Sequence, residues 1–142
     1  MGSGSWDRIP LDGAAILGEV LALKGYQPLW DEPLQAGKPL QMLSYWKVIN
    51  APQEDIKLFL HLLDENGEIV AQHDGLDISV QGLQPGDELI QLHTAQLPDN
   101  LTPGEYGLQI GAYRVDDFSR LLLPDNRSDR ILLDKYLVVA AP

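Results

Sequence analysis

The sequence predicts an all-β domain, an antiparallel two-sheet immunoglobulin-like β-sandwich of about 7–9 strands. Three observations predict it. Apolar residues fall in short runs, not in long stripes of helical period. The runs are separated by clusters rich in Pro, Gly and Asn, as turns demand. Thirteen glycines and ten prolines in 142 residues are many for a helical protein but ordinary where short strands need many turns.

The elements follow in order. Ile16–Tyr26 is the first candidate strand, although "LGEVLAL" (Leu17–Leu23) also contains good helix formers and "LDGAAILGEV" can equally open a helix. "DEPLQAGKP" (Asp31–Pro39) turns the chain into Leu40–Val48, and "NAPQED" (Asn50–Asp55) leads to Ile56–Leu63. "DENG" (Asp64–Gly67) joins that strand to Glu68–His73. "QPGD" (Gln84–Asp87) precedes Glu88–Leu97, "PDNLTPGE" (Pro98–Glu105) precedes Tyr106–Val115, and Ile131–Val139 closes the series. The cleanest alternation lies in "EYGLQIGAYRV": Tyr106, Leu108, Ile110 and Ala112 share one face, Gly107, Gln109 and Gly111 the other.

The length suits one domain, expected over residues 11–142. Residues 1–10 read as an expression-tag scar and flexible leader, because "MGSGSW" lacks the basic and apolar regions of a signal peptide. That beginning implies a domain cut from a longer protein. A formal net charge of −11 with no basic stripe argues against nucleic acid as a partner and against anionic membrane surfaces. No apolar run approaches the roughly 20 residues needed to span a bilayer, so direct membrane insertion by this chain is not expected. Without cysteine, the chain has no disulfide, thiolate–zinc or thiol chemistry.

The densest chemistry is "LFLHLLDENGEIVAQHDG" (Leu58–Gly75), with two of the three histidines. "DENG" predicts a type I turn on Glu65–Asn66 with Gly67 left-handed, and a register pairing Asp64 with Glu68, Leu63 with Ile69, His61 with Ala71 and Phe59 with His73. That register puts His61 and His73 on one face and turns Asp74 away. His61, Asp64 and His73 are therefore the candidate metal ligands, set against a structural reading in which Asp64 bonds turn amides. "DENGE" and "DNRSD" (Asp125–Asp129) also cluster oxygen ligands of the kind calcium takes, without matching the twelve-residue helix–loop–helix calcium site. The serines sit in no nucleophile-elbow pattern, and phosphate-cradling glycine motifs are absent. No enzyme and no cofactor is expected. Among Trp30, Tyr45, Trp46, Tyr106 and Tyr113, the candidates for stacking on a sugar are Trp30, in a proline-flanked loop, and the outward member of the adjacent Tyr45–Trp46 pair.

"LKGYQPLWDEPLQAGKPLQMLSYWKV", the Leu58–Gly75 hairpin, "LQPGDEL" and "LPDNLTPGEYGLQIGAYRV" together resemble a recurring soluble C-terminal region. That region belongs to bacterial membrane glycosyltransferases of the dolichyl-phosphate-mannose–protein mannosyltransferase type. The resemblance covers most of Gly18–Val139 and is carried by turns, core apolar positions and hairpin ends. It departs at Ala36, where the family usually has Pro, and at Leu83, where it usually has Trp. It implies an extracytoplasmic β-sandwich accessory to a membrane-embedded parent transferase, in contact with a glycan or a polypeptide acceptor. It brings no catalytic residues. The alternative is a structural or protein–protein interaction module with no small-molecule ligand.

Overall fold

In a computed structural model, which describes residues 15–30, 33–75 and 82–141, nine strands form two packed sheets. The leader expected at residues 1–10 lies outside the described residues. The strands are β1 (Ile16–Leu17), β2 (Leu21–Pro28), β3 (Leu34–Gln35), β4 (Pro39–Val48), β5 (Ile56–Leu63), β6 (Ile69–Gly75), β7 (Glu88–Gln96), β8 (Gly104–Arg114) and β9 (Ile131–Val139). One sheet has the order β1-β2-β4-β7, the other β3-β9-β8-β5-β6. All pairings are antiparallel except β3 with β9. The chain changes sheet after β2, β3, β4, β6 and β7, which is the Greek-key wiring of an immunoglobulin-like sandwich. Among the described residues, no helix is long and apolar enough to cross a membrane.

The core follows from strand alternation. Leu40, Met42, Trp46 and Val48 of β4 face Leu58, Leu60 and Leu62 of β5, with Leu108, Ile110 and Ala112 of β8 beside them, all buried. Tyr106 opens β8 and donates its hydroxyl to the carbonyl of Thr102 at 2.7 Å. This is the tyrosine corner typical of such sandwiches.

Three local features differ from the sequence expectation. Ile16–Tyr26 is two strands, because Gly18 and Glu19 both take left-handed φ (57° and 61°) and Val20 N–H closes the turn on the Leu17 carbonyl. Two positive φ values in a row make a primed hairpin turn, which removes the helical alternative for "LGEVLAL". The short β3 lies in a segment expected to be turn only. The "DENG" loop forms as expected, with Gly67 at φ 79° and Asp64 N–H bonded to the Glu68 carbonyl. Beyond it a bulge at Val70 shifts the register by one, so Leu62 opposes Ala71, Leu60 opposes His73 and Phe59 opposes Asp74. Every side chain past the bulge therefore changes face.

Candidate functional site

Strand β5 is buried on both faces. Leu58, Leu60 and Leu62 fill the sandwich, while Phe59 and His61 point to the outer side of the five-stranded sheet and are nevertheless buried, Phe59 to 1% exposure. Gly111 of β8 explains the first part of this cover. It lies opposite Phe59, and a Cβ there would come within 2.5 Å of Phe59 Cζ, so only glycine lets the ring lie flat across the strand.

The rest of the cover is aromatic and cationic. His61 stacks on Phe59 with centroids 4.5 Å apart, and the Arg120 guanidinium sits 4.6 Å from the Phe59 centroid. The Gln109 amide N–H donates to His61 Nδ1 at 2.8 Å, leaving the neutral ring's proton on Nε2. Burial, and secondarily the Arg120 charge, lowers the His61 pKa below its usual value, opposed by Asp74, so the ring is neutral at physiological pH. Tyr113 donates its hydroxyl to Asp74 Oδ2 at 3.3 Å. Burial first and then the Asp74 charge raise the pKa of that phenol.

Phe118 completes the shelf. It is 75% exposed, holds a left-handed φ of 61° and lies with its ring centroid 6.1 Å from that of Tyr113. An exposed Phe in a sparsely populated backbone conformation is held there by the loop around it. Asp117 accepts from the Ser119 N–H and hydroxyl, and Arg114 N–H bonds the Ser119 carbonyl. Further along, Asp125 accepts from the N–H groups of Ser128 and Arg127 and from the Ser128 hydroxyl, contacts that pull its pKa down to about 2. Phe59, His61, Asp74, Tyr113, Phe118 and Arg120 together line a shallow hollow of about 260 Å³.

The residues singled out in the sequence fall elsewhere or apart. The Val70 bulge puts His61 outside the sheet and His73 inside, so His61, Asp64 and His73 do not converge. His73 instead meets His93 of β7 across the sandwich, rings edge-on at 5.6 Å. Asp64 accepts from the N–H groups of Asn66 and Glu68 at 2.9 Å each. Among the described residues, no three His, Cys, Asp or Glu side chains are grouped to hold a metal ion. The same bulge brings Asp74, expected to face away, onto the shelf beside Phe59.

Trp46 is the inward member of its pair, fully buried, and donates Nε1–H to Ser44 Oγ at 2.8 Å. Tyr45 is the outward member and donates to Gln27. Trp30 packs edge-on against Tyr136, centroids 5.1 Å apart, with its Nε1 buried. Ser44 also contacts His93 Nε2 at 2.8 Å, a serine–histidine pair that is sealed in the core with neither residue exposed. Burial, with His73 nearby, lowers the His93 pKa to about 3. Sequence reasoning missed Phe118, Arg120 and Asp74. The available signal was the sixteen-residue interval between Arg114 and Ile131, longer than a connection between adjacent strands needs.

No family model matches the chain, and no curated protein matches it in sequence. Solved structures do match in fold. The C-terminal domain of Wzt aligns at TM-score 0.57 and 14% identity, over 89% of this chain and 78% of that one. A β-glucosidase from Listeria innocua in complex with glucose aligns at TM-score 0.50 and 15% identity, over 85% of this chain but 16% of that one. The chain is an immunoglobulin-like β-sandwich, similar in fold to the C-terminal domain of Wzt and to a small part of the β-glucosidase.

Proposed function

We propose that the chain is a non-catalytic accessory domain of a membrane glycosyltransferase-like protein, and that it contacts glycan outside the membrane through the Phe59–Phe118 shelf. The observation that carries this is Phe118, an exposed aromatic held in a left-handed backbone beside a carboxylate, a phenol and a guanidinium. An aromatic face takes the C–H face of a sugar ring, while Asp74 and Arg120 offer an acceptor and planar donors for hydroxyls. The resemblance of Gly18–Val139 to the soluble region of mannosyltransferase-type proteins supports the parent and the extracytoplasmic side. Alignment with a small share of a glucose-bound β-glucosidase supports a module within a larger carbohydrate-active protein.

The experiment is a glycan array probed with the wild type and with Phe118→Ala. Retained signal that disappears in the variant supports the shelf; equal signal from both sinks it. One feature favours a second reading, an interaction module. On the outer face of the four-stranded sheet, Ile90 and Leu92 of edge strand β7 are 58% and 41% exposed and pair across to Tyr45 and Leu43. Concentration-dependent association abolished by Ile90→Lys, with a blank glycan array, would select it.

A further inference from the structure

A second and larger depression adjoins the shelf. About 930 Å³ in volume, it lies between the β1–β2 turn, the β4–β5 connection and the β8–β9 loop. Small-molecule sites occupy roughly 300–1,000 Å³, so the 260 Å³ shelf holds a fragment while this cleft holds a whole ligand. Arg120 lines both hollows, and Ser119 lies between it and Phe118. The cleft combines apolar Ile16, Leu122 and Pro124 with polar Asn50, Ser119 and Asn126, the mixture an amphipathic sugar chain presents in return.

We infer that shelf and cleft form one binding track across Arg120, and that its ligand is a neutral oligosaccharide rather than a single sugar; this rests on the glycan reading of the shelf. The walls are preorganised. Asn50 donates to the Glu19 carbonyl at 2.6 Å, and Gly18 N–H bonds the Leu122 carbonyl at 2.8 Å, tying the three segments together. Glu19, Phe118 and Asn126, the three non-glycine residues with left-handed φ among those described, all belong to these segments.

Neutrality follows from charge. Arg114 is paired with Glu54 at 3.1 Å and donates to Ser119 at 3.2 Å, and Arg120 lies 3.5 Å from Asp129. Each guanidinium thus offers N–H donors beside a carboxylate, Asp129 being shared with Arg130 at 3.2 Å, in a chain of net charge −11 that repels polyanions.

Calorimetric titration with neutral gluco-, manno- and xylo-oligosaccharide ladders tests the track on wild type, Phe118→Ala and Asn126→Gly. Glycine keeps the left-handed backbone at 126 while removing the amide. Affinity is expected to rise about tenfold or more from two rings to five in at least one ladder, with little dependence on salt. Asn126→Gly should abolish the gain with length and spare the short ligands, whereas Phe118→Ala should weaken every length. Binding lost in Phe118→Ala but flat with length and blind to Asn126→Gly overturns the track and leaves the shelf. Preference for uronic-acid oligomers with steep salt dependence overturns neutrality. No binding at any length overturns the shelf and the track together.

Discussion

Gly111→Ala is the sharpest probe of how the shelf is built. The added methyl would sit 2.5 Å from Phe59 Cζ, 2.8 Å from Cε2 and 3.3 Å from the Asp129 carbonyl oxygen. Because the ring lies flat on the strand under Arg120, it can escape only by tilting into the guanidinium or the loop. Overpacking of this kind costs ~1–3 kcal/mol, while replacing a glycine returns ~0.4–1 kcal/mol through the unfolded chain. The net loss is about 1–2 kcal/mol, a fall in Tm of about 2–8 °C for a chain of this size. Thermal melts of the wild type, Gly111→Ala, Phe59→Leu and the double variant decide the matter. In the Phe59→Leu background the alanine should cost less than ~0.5 kcal/mol, since the ring that it strikes is gone. An unchanged Tm in the single variant, or an equal cost in both backgrounds, would refute the packing argument.

Other outcomes follow from the same contacts. Ser44→Ala leaves Trp46 Nε1 and His93 Nε2 buried without their partner and should cost about 2–6 kcal/mol in a denaturant melt, at ~1–3 kcal/mol per orphaned group. Phe118→Gly relieves left-handed strain of ~1 kcal/mol or more and removes only an exposed ring, so Tm should hold or rise while glycan binding is lost. Acid stability has a definite sign. His93, depressed to about 3 in the fold, stays neutral where the unfolded chain is protonated, so the unfolded state binds the extra proton between pH 3 and 6.5. Stability should therefore be full above pH 6.5 and fall on acidification by on the order of 1 kcal/mol per pH unit, with His61 adding in the same direction. Urea midpoints that do not move between pH 7.5 and pH 4 would contradict this.

Much of the fold was legible from period and punctuation. Ile56–Leu63 and Ile131–Val139 stand where the apolar runs put them, and the alternation of Tyr106, Leu108, Ile110 and Ala112 is the inward face of β8. The tyrosine corner was not read from "LTPGEY", because only the Tyr106 hydroxyl's bond to the Thr102 carbonyl identifies it. The candidate site was not legible, for two physical reasons. A bulge depends on which side chains the core accepts, so Val70 gives no local warning, yet it alone decides that His73 faces His93 and Asp74 faces Tyr113. The shelf is also a contact across distant segments: "VDDFSR" reads as an ordinary polar loop until Phe118 and Arg120 lie over Phe59. Conversely, the most conspicuous aromatic, Trp46, was a core residue whose indole N–H is consumed by Ser44.

Glycan contact at the shelf is tested most directly by mapping backbone amide chemical shifts while titrating the bound glycan from the array. Binding there should move Phe59, His61, Asp74, Tyr113 and Phe118–Arg120 together, in one saturating transition, and leave the β7 residues Ile90 and Leu92 still. Shifts confined to Ile90 and Leu92 or to Trp30, or no shifts at saturating glycan, would contradict it.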